Sequence, residues 1–279
     1  MKIMKRVLII AVAFIAFAEV KLCAQDLSGV ATYKWSREVN FQTDQKMSEE
    51  MKKQMKEQLR KQFEREFILA FSVTKSLYTE NEKLEAPSIP SNSGMVIKVR
   101  QDNFVLFKDI KAKTYTRQEE MMGKMFLIKD SLEAPNWKLE KETKNIGDYL
   151  CYKATMEQTD SILDIKSFDR KGEIQKTERT KRITAWYTPQ IPISDGPSIY
   201  YGLPGLVLEV QDDDLSILCS GIVLNPKEKP IIEEPTKGKE IEEDKFKTIK
   251  LEKMREMTER SRDNRKSDDG KSIKIRIGG

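Results

Sequence analysis

One stretch of this chain, residues 186–210, limits what the rest can become: W-Y-T-P-Q-I-P-I-S-D-G-P-S-I-Y-Y-G-L-P-G-L-V-L-E-V. Gly202, Leu203, Pro204, Gly205 and Leu206 stand near its end. Proline fixes its own φ and pushes the preceding residue toward extended geometry, so Pro204 holds Leu203 extended. Glycine takes positive φ and tolerates close backbone approach, so Gly202 and Gly205 suit a tight turn of the Pro-Gly type. Upstream, Pro189, Pro192 and Pro197 keep the chain out of helices and central sheet ladders. The stretch is therefore expected to be an ordered, extended crossing between two strands. Two roles fit it. One is a loop facing a ligand or partner, with Trp186, Tyr187, Pro189, Asp195, Gly196, Pro197 and residues 202–206 as candidates. The other is a structural corner that sets strand register, which is the reading we favour.

On either side the pattern is mostly that of strands and turns. Val30, Tyr33 and Trp35 mark a first strand, and Phe67, Leu69, Phe71 and Val73 alternate as a half-buried second. Residues 87–94 read as a loop. Short strands are expected at 95–99, 104–107, 114–117, 125–128, 137–140 and 149–156, with a turn at 145–148 around Gly147. Residues 162–168 and 174–187 look like a long hairpin. Leu206, Leu208 and Val210 point to one face of the following strand, and Asp212, Asp213 and Asp214 form a polar turn before a strand at 215–224. These strands follow one another too closely for helical crossovers. The expected fold is mainly β: a large, twisted, antiparallel sheet, curled toward a sandwich or half-barrel.

Two helices are expected beside the sheet. Met47, Met51, Met55, Leu59 and Phe63 recur every four residues, which predicts an amphipathic helix over about 46–65, capped by Ser48. Its methionine stripe is expected to pack on the body of the same protein. Residues 225–244, rich in Pro, Lys and Glu, read as a flexible linker. Asp244 then caps a helix to about residue 260, with Phe246, Ile249, Met254 and Met257 on one broad face. The remaining tail reads as frayed, with Ile273, Ile275 and Ile277 a weak strand signal.

The central stretch resembles the signature of the GLPGLI family, secreted or envelope proteins of Bacteroidota, although this chain has Leu206-Val207 where the family name ends in isoleucine. A-W-Y-T-P-Q-I-P-I-S-D-G-P at 185–197 is similar to the part just before that signature. G-K-M-F-L-I-K-D (123–130), N-W-K-L (136–139), Y-L-C-Y-K-A-T (149–155) and S-L-Y (76–78) resemble its middle and early parts. The resemblance spans about residues 26–224. The family has no established activity, so no residue inherits a catalytic role from it.

The first 24 residues read as a secretory leader: Lys2, Lys5 and Arg6 precede an apolar run too short for a stable membrane anchor. Cleavage near Ala24 leaves residues 25–224 as one β-rich domain. It also leaves no transmembrane segment and places the protein in the periplasm or outside the cell. Cys23 offers a lipoprotein alternative, against which stands bulky Leu22. The net charge of +5 owes much to the leader, whose loss leaves 46 basic and 44 acidic residues. Such a balance gives no support for nucleic-acid binding. Cys151 and Cys219 are the only mature cysteines, so one intramolecular disulfide is available to them, with two buried free thiols as the alternative.

The chain has no histidine. That excludes His-based triads, Cys-His pairs and His-containing metal sites, and two cysteines cannot complete a four-thiolate zinc site. No phosphate-cradling glycine loop or G-x-S-x-G elbow occurs. Asp195, Glu209 and residues 212–214 are the nearest candidates for paired-carboxylate chemistry, and the acidic run lacks EF-hand spacing. No metal, cofactor or catalytic residue is expected. The residues describe a non-enzymatic binding protein of the envelope whose partner is an envelope protein. The alternative is a carrier whose curled sheet, covered by the Met-rich helix, holds a lipid or other hydrophobic ligand. An enzyme using paired carboxylates stands third.

Overall fold

The computed structural model describes residues 27–41, 48–50, 53, 57, 64–81, 104–164, 175–265 and 275–277. Short apolar-alternating segments joined by tight turns make β-structure the dominant outcome. The strands are β1 (Ser28–Arg37), β2 (Val39–Phe41), β3 (Arg65–Ser72), β4 (Lys75–Glu80), β5 (Val105–Asp109), β6 (Thr114–Met121), β7 (Lys124–Ser131), β8 (Lys138–Ile146), β9 (Tyr149–Asp164), β10 (Gln175–Thr188), β11 (Leu206–Asp212), β12 (Leu215–Leu224), β13 (Lys239–Ile241) and β14 (Ile275–Ile277). One helix, α1 (Glu243–Arg265), separates the last two.

Twelve strands form one open sheet in the order β13-β7-β6-β5-β4-β3-β1-β12-β11-β10-β9-β8. Strands β2 and β14 pair separately. From β3 to β7 each strand lies beside its sequence neighbour, and so again from β8 to β12. The return of β12 to β1 joins the two meanders into one sheet. On the inner face Tyr33, Phe67, Leu69, Phe71, Tyr78 and Leu106 pack with Ile183, Ala185, Val210 and Ile217 in a single core. The Phe67 and Tyr78 rings stack with centroids 5.0 Å apart, a contact that adds to the area they bury.

Several expectations change. The sheet is mixed, because β13 pairs parallel with β7 while the other pairs are antiparallel. The cause is the long path after β12, which reaches the far edge of the sheet and enters it in the other sense. β13 thus lies inside the segment read as a linker. Helix α1 starts one residue earlier than the expected Asp244 cap, with Glu243 and Asp244 in its first turn where the dipole favours acids, and it runs on to Arg265. Val73 belongs to a turn and is exposed. The strand β4 (Lys75–Glu80) was not among the expected strands. Leu206, Val207, Leu208 and Val210 are all buried, not alternate ones, because β10 and β11 shift register between Trp186 and Tyr187 and both faces are covered here. Most of the expected helix at 46–65, the strand at 95–99, the loop at 87–94 and the leader lie outside the described residues.

Candidate functional site

Between β10 and β11 runs the crossing, residues 189–205, extended and ordered as expected. It is not bridged by a Pro-Gly β-turn. Gly205 N donates to Leu203 O at 2.8 Å, and Ile193 N donates to Ile191 O at 2.8 Å. These are three-residue γ-turns centred on Pro204 and Pro192, whose rings supply the φ such a turn wants. Gly205 has φ +154, and a Cβ there would stand 2.2 Å from Thr188 O and 2.6 Å from Thr188 C. The glycine lets the end of the crossing lie against its own start. Leu206 N and Val207 N then donate to Ile191 O and Asp195 O, both at 3.0 Å, which folds the segment back on itself.

The crossing lies on the inner face, its residues 191–194 alternately buried and exposed and residues 195–198 buried throughout. Ile191, Ile193, Tyr200 and Leu203 are buried in the main core. Polar side chains tie the crossing and the start of β11 to other parts of the chain. Tyr33 of β1 donates to Val207 O at 2.7 Å, and Trp137 Nε1 donates to Tyr201 O at 2.8 Å. Tyr200 OH donates to Asp212 at 2.7 Å.

The strongest tie is a lysine. Lys108 on β5 shares its face with Leu106 two residues earlier, so it points into the core. It is 0% exposed, and Asp195 is 2% exposed. Its Nζ donates to Asp195 Oδ1, to Gly196 O at 2.9 Å and to Ser198 O at 2.9 Å. All three ammonium hydrogens are thereby used. Asp195 Oδ1 also accepts from Gly196 N at 2.7 Å. The Tyr201 ring stands 5.9 Å from Nζ. Ser76 Oγ, opposite Lys108 on β4, is buried without a hydrogen-bond partner among the described residues, as are Asp195 Oδ2, Tyr201 OH and Asp212 Oδ1.

This arrangement holds a loop, and the carboxylates singled out in sequence are each paired with a separate cation. Asp195 is tied to Lys108, Glu209 to Lys144, Asp212 to Lys181, Asp213 to Arg179 and Asp214 to Arg37. Each has its own cation. Asp212 is a buried strand residue and not the solvated turn residue expected, because Tyr200 and Lys181 both bond it. Among the described residues no group of three or more Cys, Asp or Glu is placed to hold a metal ion. No described helix is long and apolar enough to cross a membrane. Tyr187 is buried beside Tyr152, while Trp186 is partly exposed with the Lys144 ammonium 4.4 Å over its ring. Lys108, Tyr33, Trp137 and Tyr200, which do most of the tying, were not among the site residues read from sequence. A lysine at an inward strand position beside Leu106 was the available signal.

Burial also sets the titration of this region. It pushes the Tyr33 and Tyr78 phenols well above the ordinary range and the Tyr201 phenol up to about 12, the last helped by Glu133 and Asp195. The neutral form is favoured in the fold, while unfolded tyrosines lose protons from about pH 10. Stability from these groups is therefore complete below about pH 10 and falls as pH rises beyond it. Unfolding curves recorded from pH 8 to 11.5 should show a flat region and then a decline; constant stability above pH 10 would contradict this.

Cys151 and Cys219 are free thiols in this structure, near the carbonyl oxygens of Tyr149 and Gly221 respectively. Burial raises both to about 11, so thiolate is scarce near neutral pH and native reactivity should be low. Denatured, unreduced protein is expected to take an alkylating label on both. Labelling only after reduction would show the disulfide that their number allows.

Fold and site together define a β-sheet protein whose core is closed by its own proline-rich crossing. A family model described as "Protein of unknown function (Porph_ging)" matches residues 137–209, which include the crossing, β10 and the start of β11. Two structures of PNGF-II, in C2 and P21 space groups, are similar at TM-score 0.47 and 16% identity over 80% of this chain. The chain spans about a third of their length: 32% and 33%. LprF from Mycobacterium bovis is similar at TM-score 0.27 and 10% identity, over 74% of this chain and 89% of LprF. No curated protein matches the chain.

Proposed function

We propose that this chain is an exported, non-enzymatic interaction protein of the cell envelope, of the GLPGLI type, with its sheet curled round the crossing. It binds its partner through the solvent side of the crossing and the sheet surface beside it. The supporting observation is the two-sided character of the crossing. Its inner side is locked to Lys108, while Pro189, Pro192 and Pro204 face solvent and Ile199 is 50% exposed. Leu150, exposed near the start of β9, adjoins this surface, since its N donates to Gln190 Oε1 at 2.8 Å. A rigid apolar surface loses little entropy on binding. The edge strand β8 is a poorer docking element, because its register breaks between Leu139 and Thr143 and Glu140, Lys141 and Glu142 guard it.

The carrier alternative needs apolar room on the inner face. There Ile191, Ile193, Tyr200 and Leu203 of the crossing already pack against the strands, which favours the interaction reading. Export rests on the leader sequence, and the mature protein should begin at Gln25. The test is affinity capture from native envelope extract with wild type and Ile199→Glu. The expected result is one partner, identified by mass spectrometry, that the variant loses while its melting temperature stays unchanged. Equal capture by both would refute this surface, and lipid co-purifying with wild type would favour the carrier.

A further inference from the structure

After β12 the chain forms an arm, residues 226–265, that is held apart from the main core. Glu234 accepts from Thr116 Oγ1 at 2.6 Å and lies 3.4 Å from Lys129. β13 then adds in parallel to β7 and forms the sheet's edge, with Lys239, Glu240 and Ile241 beside Phe126, Leu127 and Ile128. Gly238 permits that approach, since a Cβ there would stand 2.9 Å from Phe126 C. The start of α1 makes further contacts, among them Glu243 N donating to Asp130 Oδ2 at 3.4 Å. The Glu243 carboxylate receives Tyr115 OH at 2.9 Å and lies 3.0 Å from Arg117 Nη2. Phe246, 1% exposed, packs with Phe126 and Ile128 in a second, separate cluster, its ring centroid 5.4 Å from that of Phe126.

Strands β6 and β7 thus offer three features that read a peptide. They are a backbone edge on β7 that takes a short parallel strand, a seat for a carboxylate at Tyr115 and Arg117, and an apolar notch at Phe126 and Ile128. Adding a strand to an edge, with side-chain pockets giving selectivity, is a general mode of peptide recognition. The segment G-K-E-I-E-E-D-K-F, residues 238–246, supplies the glycine, the strand, the acid and the aromatic.

The hold is modest. Phe246 is the one buried side chain among the described residues 226–253. The ion pairs Lys129–Glu240 and Lys250–Glu119 are partly exposed, and such pairs add little to stability. The path into the arm is solvated, with Ile231 75% exposed.

We propose that the β6–β7 edge is a peptide-docking groove, that the arm is its built-in occupant, and that its occupant in trans is the arm of a second copy of this chain. An identical arm meets an identical groove, so two copies can exchange arms across a two-fold axis, as in domain swapping. At low protein concentration the tethered arm wins through its effective concentration, which is of millimolar order for a short flexible tether. This inference does not depend on the partner of the crossing.

The test uses full-length chains and a fluorescent peptide of residues 226–265. Phe246→Ala, which weakens the chain's own arm, is expected to bind the peptide at least tenfold more tightly than wild type. Adding Arg117→Gln should abolish that binding, and added salt should weaken it. Wild type should form a concentration-dependent dimer that excess peptide dissolves. Should Phe246→Ala fail to fold, Glu243→Gln takes its place. A weakened-arm chain that ignores the peptide, binding that survives Arg117→Gln, or a wild type monomeric at all concentrations would each overturn the proposal.

Discussion

Lys108→Met is expected to destabilise the protein by about 3–5 kcal/mol, the usual cost of breaking a buried ion pair from one side. The change leaves the Asp195 carboxylate uncompensated, with Gly196 O and Ser198 O stripped of their donor. Asp195→Leu should cost a similar amount, because the Lys108 ammonium is then left buried with carbonyls alone. The double variant Lys108→Met/Asp195→Leu should be far less damaging than the two losses added together, since an apolar pair of similar volume can replace a buried ion pair. Recovery should stop short of wild type, as the two carbonyls remain without the ammonium. Chemical denaturation of the four proteins closes a double-mutant cycle and reads the coupling directly. Additive losses, or a Lys108→Met protein as stable as wild type, would show that the lysine does not hold the crossing.

Gly205→Ala is expected to cost about 3 kcal/mol or more, combining backbone strain with overpacking. The added methyl would meet Thr188 O and Pro189 N at 2.2 and 2.9 Å, and these are backbone atoms that no side-chain rotation can clear. Pro204→Ala, one residue earlier, should cost only about 0.4–1 kcal/mol, through the greater freedom of the unfolded chain. Pro204 is exposed and its ring supports no buried contact of comparable weight. The two melting temperatures should therefore separate clearly. Equal shifts would mean that proline geometry, and not close approach at the glycine, sets the corner.

Much of the fold was legible because a period-2 pattern survives in single strands. Phe67, Leu69 and Phe71 read correctly as an inward row, and Gly147 as a turn. Strand order was beyond reach, because the pairing of β1 with β12 joins residues nearly 190 positions apart in sequence and nothing local encodes it. The parallel β13 was hidden for the same reason: three polar-flanked residues in a Lys/Glu-rich segment carry no strand signal of their own. In the crossing, proline and glycine chemistry announced an ordered corner. The γ-turn geometry depended on where Thr188 passes Gly205, a tertiary contact. Lys108 was overlooked because lysine after Val-Leu-Phe reads as a solvated strand end. Only the presence of Asp195, 87 positions later, makes an inward ammonium tolerable. The acidic run at 212–214 misled for the converse reason, since Tyr200 and Lys181 bury Asp212.

Hydrogen–deuterium exchange across residues 191–207 tests the buried, locked crossing most directly. The amides of Ile193, Leu206 and Val207, bonded at 2.8–3.0 Å within the crossing, should exchange as slowly as those of β10 and β11, and Lys108→Met should release them selectively. Fast exchange of these amides in the wild-type protein, at the rate of a solvated loop, would contradict the account.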